Sequence, residues 1–188
     1  QGKFDEAELL YKRALEGREE ILGPKHSETL TTVNNLALLF YKQNKFDEAE
    51  LLYKRALEGR EDILGRKHSS TLDSVYNLAD LLKTQGKINE AITLFERELQ
   101  GLTEINGMKH SDTINLAINL VEILFEQGKE NEAYALAEEY ELHKLQLYDD
   151  DGDTTDSDDD DDSDTNDSDE DDGDTDVGDE DDGDTNDS

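Results

Sequence analysis

An asparagine recurs at Asn35, Asn77 and Asn119, at a constant spacing of 42 residues, inside segments whose apolar residues follow helical spacing. Asparagine is unfavourable in the middle of a helix. Its recurrence at the same position of each repeat therefore indicates a specific role for the side chain. A carboxamide carries a hydrogen-bond donor and an acceptor, and can therefore pair with the backbone of an extended peptide. The same group can instead bond to the neighbouring copy of the repeat, and both interpretations stay open.

A histidine follows the same spacing, at His26, His68 and His110. Three histidines suggest a metal site, but equivalent residues of packed helical repeats lie about 10 Å apart. That separation is too large for one ion with zinc–nitrogen bonds of about 2 Å. We therefore predict a structural role for these residues in the linkers between helices, and we expect neither a bound metal nor another cofactor.

The chain shows no pattern that is typical of a catalytic site. There is no Cys, which excludes a disulfide framework and a Cys-ligated zinc site. No nucleophile–base pair stands out, and residues 23–26 are typical of a linker rather than of a phosphate-binding loop. We therefore expect that the protein is not an enzyme.

The recurring residues belong to a repeat of 42 residues, each copy of which predicts two amphipathic helices. The first helix starts near a serine, at Ser27, Ser69 and Ser111. Serine is a favourable N-cap because its hydroxyl accepts a hydrogen bond from the first turn. The first helix ends at a residue that tolerates the left-handed C-cap conformation, around Asn44, Gly86 and Gly128.

The second helix of each copy is longer than the first. Residues 4–23 repeat residues 46–65 almost unchanged, and a last, divergent copy covers about residues 130–147. We therefore predict seven helices, namely one second helix without its partner and three complete pairs. A fixed period of this size is typical of a solenoid, in which each unit buries its apolar face against its neighbours.

The first copy keeps the internal apolar pattern although its partner helix is absent from the sequence. We expect the face formed by Phe4, Ala7, Tyr11 and Ala14 to be partly exposed. Either the chain is then a fragment of a longer array, or it self-associates through this N-terminal helix. A truncated solenoid that tolerates a frayed end is the alternative.

Three groups of residues carry a resemblance to a known family. They are Asn35-Leu36-Ala37, Glu48-Ala49 with Tyr53, and Ala56-Leu57, and they recur in register along the chain. This pattern resembles the tetratricopeptide repeat. The length of 42 residues and the Leu-Gly-x-x-His linker resemble its kinesin light chain and nephrocystin group, although this chain has His-Ser where that group usually has His-Pro. The resemblance covers about residues 1–147 and implies an all-α fold, a right-handed α-α superhelix.

The resemblance also implies that the first helices line a concave groove, in which Asn35, Asn77 and Asn119 reach the backbone of a bound peptide or partner helix. Tyr41, Tyr76 and Phe125 are the apolar anchors that we expect, because aromatic residues dominate binding energy at interfaces. An ordinary solvated helix face is the alternative for any single residue. The predicted groove residues are Asn34, Asn35, Leu38, Tyr41, Tyr76, Asn77, Asp80, Ile118, Asn119, Glu122 and Phe125.

Charge separates the chain into two parts. Residues 149–188 hold 24 of the 51 acidic residues, no Lys or Arg, and Val177 as their only large aliphatic residue. Such a segment cannot bury enough apolar surface to offset its loss of chain entropy. We therefore predict a repeat array over residues 1–148 and a disordered, Asp-rich tail over residues 149–188.

The tail offers two candidate phosphorylation sites, Ser157 and Ser168, which are followed by acidic residues. Its best alignment to a calcium-binding loop starts at Ser168 and lacks the acidic first ligand and the twelfth Glu, so we predict no defined calcium site.

Composition limits the partners and the location of the protein. A net charge of −33 repels nucleic acid, and no apolar run approaches the roughly 20 residues that cross a bilayer. We expect a protein or peptide partner of unknown identity in the cytoplasm, with the nucleus as the alternative location. An alternative function is an acidic, chaperone-like module whose tail binds basic proteins such as histones.

Overall fold

The computed structural model of the chain describes residues 2–142, and in that part all regular structure is helical. The predicted tail lies outside the described residues. The helices are α1 (Gly2–Leu22), α2 (Ser27–Lys42), α3 (Phe46–Leu64), α4 (Ser69–Thr84), α5 (Ile88–Asn106), α6 (Ser111–Glu126) and α7 (Glu130–Glu139). This confirms the predicted all-α fold of seven helices.

The helices stack in chain order to form a right-handed α-solenoid. Each helix packs against the next one, and α2 also contacts α4 directly. The helices α2, α4 and α6 are the first members of the three pairs, and α3, α5 and α7 are the second members. Because each unit contacts mainly its neighbours, the core runs through the stack as a continuous layer.

The apolar stripes that the sequence predicts form this core. In α2 the buried residues include Leu30, Val33 and Phe40, and the same positions are buried in α4. Two pairs of helices approach each other at a glycine. A Cβ atom on Gly59 would lie 2.5 Å from Leu30 Cδ2, and one on Gly101 would lie 2.6 Å from Leu72 Cδ2. These glycines set how closely the second helix packs on the first.

The prediction of serine N-caps is wrong, because the preceding histidine is the cap. His26, His68 and His110 have extended backbone conformations, and each imidazole Nδ1 accepts a hydrogen bond from the backbone N–H two residues later, at 3.1–3.2 Å. The serines are the first helical residues, a position that proline also favours. The His-Ser pair therefore keeps a helix start that His-Pro would also allow.

The first helices end as predicted, at a residue with positive φ. Asn44 has a φ of 60° and Gly86 a φ of 77°. After α2, the Lys45 N–H donates to the Phe40 carbonyl and the Asn44 N–H donates to the Tyr41 carbonyl, both at 2.9 Å. This is the Schellman arrangement, which satisfies carbonyl groups that the helix leaves free.

The two ends of the described stack differ from its interior. In α1 no residue is buried, and Phe4 is 41 % exposed, as the sequence analysis expects of this face. Ala49 and Tyr53 of α3, which are equivalent to Ala7 and Tyr11 of α1, are buried because α3 packs against α2 as well as against α4. At the other end, α7 stops at Glu139, which corrects the helix predicted over residues 130–147. Glu141 follows with a φ of 55°, which a continuous helix does not permit.

Ion pairs join successive second helices. Glu8 accepts from Lys12 and Lys45, and Glu50 accepts from Lys54 and Lys87, all at 2.6–2.8 Å. Hydrogen bonds from the two lysines hold the pKa of Glu50 at about 2. Each of these glutamates therefore ties its own helix to the next repeat.

Within residues 2–142, no helix combines the length and the apolar character that a bilayer crossing demands.

Candidate functional site

The predicted groove residues lie on the first helices, where they contact their neighbours to different degrees. The Asn77 amide Nδ2 donates to Asn34 Oδ1 over 3.4 Å, and Lys83 Nζ donates to Asn119 Oδ1 over 3.3 Å. Both bonds join successive repeats, which is the alternative that the sequence left open. They are long, and each uses only one of the two polar groups of the recurring Asn, so a role in binding remains compatible with them.

The three predicted aromatic anchors each pack against an aromatic ring of a second helix. Tyr41 lies 6.0 Å from Phe46, Tyr76 lies 5.9 Å from Phe95, and Phe125 lies 5.1 Å from Tyr134, as distances between ring centroids. Tyr41 also shares a hydrogen bond with Thr84 Oγ1 at 3.0 Å. Tyr76 is the most exposed of the three, at 43 %.

The remaining predicted residues divide into packing residues and surface residues. Leu38 and Ile118 are half-buried against the core, so part of their surface is already used by the fold. Asp80 is half-buried and Glu122 is exposed. The candidate phosphorylation sites Ser157 and Ser168 lie outside the described residues.

A polar cleft of about 390 Å³ opens where α2 and α4 meet, and we call it the polar cleft. Its walls combine predicted groove residues with two charged residues of the second helices, Arg60 and Glu98. The lining residues are Asn34, Asn35, Arg60, Asp73, Tyr76, Asn77 and Glu98.

The two buried charged residues of the polar cleft differ in how well they are satisfied. Arg60 donates to the Ser70 carbonyl and to Ser74 Oγ, both at 2.7 Å. Glu98 is only 7 % exposed, and its Oε2 has no hydrogen-bond partner among the residues that the structure describes. Burial, together with the negative charge of Asp73, raises the pKa of Glu98 to about 8. At neutral pH this carboxyl therefore holds a proton in the unliganded cleft.

Glu98 is not among the residues that the sequence predicts for the groove, although the repeat marks its position as unusual. The equivalent residues 42 and 84 positions earlier are Ala56 and Ala14, so Glu98 places a carboxyl where the two preceding copies have a methyl group. A comparison of the copies position by position, rather than by their shared apolar pattern, reveals this substitution.

The chemistry available in this cleft is hydrogen bonding and ion pairing. Amide, carboxyl, guanidinium and phenol groups line it, with no Ser, Cys or His nucleophile–base arrangement among the residues named above. Within residues 2–142, no group of three or more His, Cys, Asp or Glu residues is placed to hold a metal ion. The arrangement is therefore suited to recognition of polar groups.

Comparison with known families gives one consistent result. A family model described as tetratricopeptide repeat matches residues 1–62 and 69–141, and a second one with the same description matches residues 34–103. No curated protein matches the chain at a significant level.

Solved structures with the same fold include two kinesin light chain-like proteins. BtubC (BKLC) from P. vanneervenii has 24 % sequence identity and a TM-score of 0.67, over 79 % of this chain and 60 % of that protein. A kinesin light chain-like protein from Podosopora anserina with nearly identical TPR-like repeats has 21 % identity and a TM-score of 0.68, over 79 % of this chain and 71 % of that one. The chain thus spans less than two thirds of the first protein, and these likenesses show a shared fold.

Proposed function

We propose, because this chain belongs to the tetratricopeptide repeat family, that it is a non-catalytic scaffold which binds a peptide or a partner helix along its first helices. Tetratricopeptide repeats generally mediate contacts between proteins. The bound segment lies on the concave side of the stack, across α2, α4 and α6.

One observation carries this proposal: polar groups that can bind a peptide backbone collect at one face of α2 and α4. Asn34, Asn35 and Asn77 line the polar cleft together, beside the exposed ring of Tyr76. Amides supply donors and acceptors for a backbone, and an aromatic ring supplies contact area for a side chain. A helix face that carries only solvated charges would offer neither these amide groups nor this aromatic contact area.

The experiment selects peptides from a random displayed library on the full chain and measures their affinity for two double variants. Asn77→Ala with Asn119→Ala removes both recurring amides, and we expect about a tenfold loss of affinity, which corresponds to about 1.4 kcal/mol. Asn89→Ala with Asn131→Ala makes the same chemical change at exposed positions of the second helices and serves as the matched control. Equal affinities of the selected peptides for the two double variants would contradict the proposal that the peptides bind in the groove.

The tail supports a second candidate function, an acidic module that binds basic proteins such as histones. Its 24 acidic residues in 40 positions are the observation in favour. Binding of poly-lysine through the tail should weaken steeply with ionic strength and disappear when residues 149–188 are deleted. Binding that survives both changes would exclude this candidate. For either function we propose a cytoplasmic or nuclear location.

The exposed face of α1 supports a further proposal, self-association through the N-terminal helix. Ala7 and Tyr11 are only half-buried, whereas the equivalent α3 residues are fully buried. Sedimentation should show a concentration-dependent dimer that Tyr11→Glu dissociates. A monomer at all concentrations would contradict the proposal.

A further inference from the structure

The polar cleft contains a buried carboxyl that the fold itself leaves unsatisfied. Glu98 Oε2 has no hydrogen-bond partner in the described region, and the side chain is more than nine-tenths buried. A buried polar atom without a partner destabilises a protein by about 1–3 kcal/mol. The alanine of the two preceding copies avoids that loss, so the presence of Glu98 calls for an explanation outside the packing of the helices.

The charged groups around Glu98 do not neutralise it. Arg60 is held by Ser70 and Ser74, and the ion pairs of the described residues include none between Arg60 and Glu98. Asp73, on α4, lines the same cleft and adds a second carboxyl. The cleft is therefore rich in acceptors, and the N–H groups of Arg60 that bond to Ser70 and Ser74 do not serve them.

We propose that the polar cleft is a subsite for the side-chain ammonium of a lysine in a bound peptide, with Glu98, Asp73 and Asn77 as its acceptors. This inference rests on the proposed peptide-binding function and names one feature of the partner. An ammonium carries three N–H donors. The two carboxylates and the Asn77 Oδ1 supply three acceptors, because the Asn77 Nδ2 is already directed at Asn34.

The other walls of the cleft suit a lysine side chain. Tyr76 offers an exposed ring against which the aliphatic stem can pack. A metal ion is disfavoured because the described residues contain no cluster of three or more metal-ligating side chains.

Binding of an ammonium must displace the proton that Glu98 holds. The carboxyl enters the complex as a carboxylate, the lysine keeps all three of its protons, and the carboxyl proton goes to the buffer. Near pH 7, binding should therefore release up to one proton per site. Calorimetric titration in two buffers with different enthalpies of ionisation measures this number directly.

The test uses the peptide acetyl-Gly-Gly-Lys-Gly-Gly-amide and a matched peptide with norleucine in place of lysine. Both are titrated into the full chain while the side-chain amide resonances of Asn34 and Asn77 are followed by NMR. We expect the lysine peptide to bind about tenfold more tightly, the factor that corresponds to about 1.4 kcal/mol.

The acidic tail attracts any cationic peptide, so the decisive comparison is between variants that keep it. Glu98→Ala introduces the residue of the two preceding copies and should abolish both the preference for lysine and the proton release. Asn89→Ala, on the exposed surface of the same helix, should change neither. Retention of the lysine preference in Glu98→Ala would assign it to the tail and overturn the proposal, as would equal affinity of the unaltered chain for the two peptides.

The failure of this subsite and the failure of groove binding give different results. If library-selected peptides still bind through Asn77 and Asn119 but lysine brings no advantage, only the lysine subsite is wrong. If the affinity of those peptides does not change when the two amides are removed, but Glu98 still favours lysine over norleucine, the groove proposal is wrong. The lysine subsite is then still supported.

Discussion

Asn77 and Asn34, from successive repeats, are joined by a hydrogen bond of 3.4 Å between their side-chain amides. Two residues predicted to bind a partner therefore also bind each other. The bond is long, only partly buried and directed between neutral groups, so its contribution to the free energy of unfolding is small.

Asn77→Ala should accordingly lower the free energy of unfolding by less than about 1 kcal/mol. Urea denaturation followed by circular dichroism measures this value. A loss of 2 kcal/mol or more would identify the amide as a structural element, and its effect on peptide affinity would then need the Asn89→Ala control to be interpreted.

Glu98→Ala should stabilise the protein, and the gain should grow with pH. The folded-state pKa of about 8 lies above the usual value of 4.5, so the folded state binds the proton more tightly than the unfolded state does. The destabilisation of the folded state by this carboxyl therefore increases as the pH rises from about 4.5 to about 8. The charged or titratable groups lining the cleft with it are Asp73, Arg60 and Tyr76.

We expect Glu98→Ala to gain about 1–3 kcal/mol over the unaltered chain at pH 8 and less at pH 5. Urea denaturation at the two pH values gives the comparison. A gain that is the same at both pH values would show that Glu98 does not titrate in this range in the folded protein.

Glu50→Gln should have the opposite pH dependence. Lys54 and Lys87 lower the pKa of Glu50 to about 2, so the stabilising effect is present above pH 4.5 and is lost as the pH falls toward 2. Because both lysines are largely exposed to solvent, we expect a loss of only about 1 kcal/mol at pH 7, which vanishes near pH 2. Glu58→Gln, at an exposed site of the same helix, should change stability by less than about 0.5 kcal/mol.

Two equivalent glycines should respond differently to alanine. Gly17 has open space where a Cβ would lie, whereas at Gly59 the Cβ would contact the buried Leu30. Gly17→Ala should gain up to about 1 kcal/mol from helix propensity. Gly59→Ala should be less stable than Gly17→Ala by about 1–3 kcal/mol, since the Leu30 side chain must shift in a packed core. Identical unfolding curves for the two variants would disprove the close approach of α2 and α3.

Substitution of His68 tests its role as a helix cap. His68→Ala removes the acceptor of the Ser70 N–H and should lower the free energy of unfolding by about 0.5–2 kcal/mol. Asparagine is a strong N-cap residue, so His68→Asn should lower the free energy of unfolding by only a few tenths of a kcal/mol. If Asn and Ala destabilise the chain equally, the imidazole contributes through something other than capping.

The sequence by itself determines the number, type and order of the helices. The apolar stripe around Leu30, Val33 and Phe40 recurs at a constant interval, and Asn44 and Gly86 mark helix ends through their own backbone preferences. These features are local or strictly periodic, so they can be recognised in the sequence without knowledge of which residues contact each other in the folded protein. The choice of cap was wrong because histidine and serine are adjacent, and only the backbone conformation shows which of them precedes the helix.

The tertiary structure alone decided which polar groups meet. The bond between Asn77 and Asn34 depends on the offset between α2 and α4, which a repeat length does not specify. Glu98 becomes significant only because the fold buries its carboxyl beside Asp73, at a position that alanine holds in the two preceding copies. Periodicity reports what the copies share, whereas the polar cleft arises from one copy that differs and from distances that packing sets.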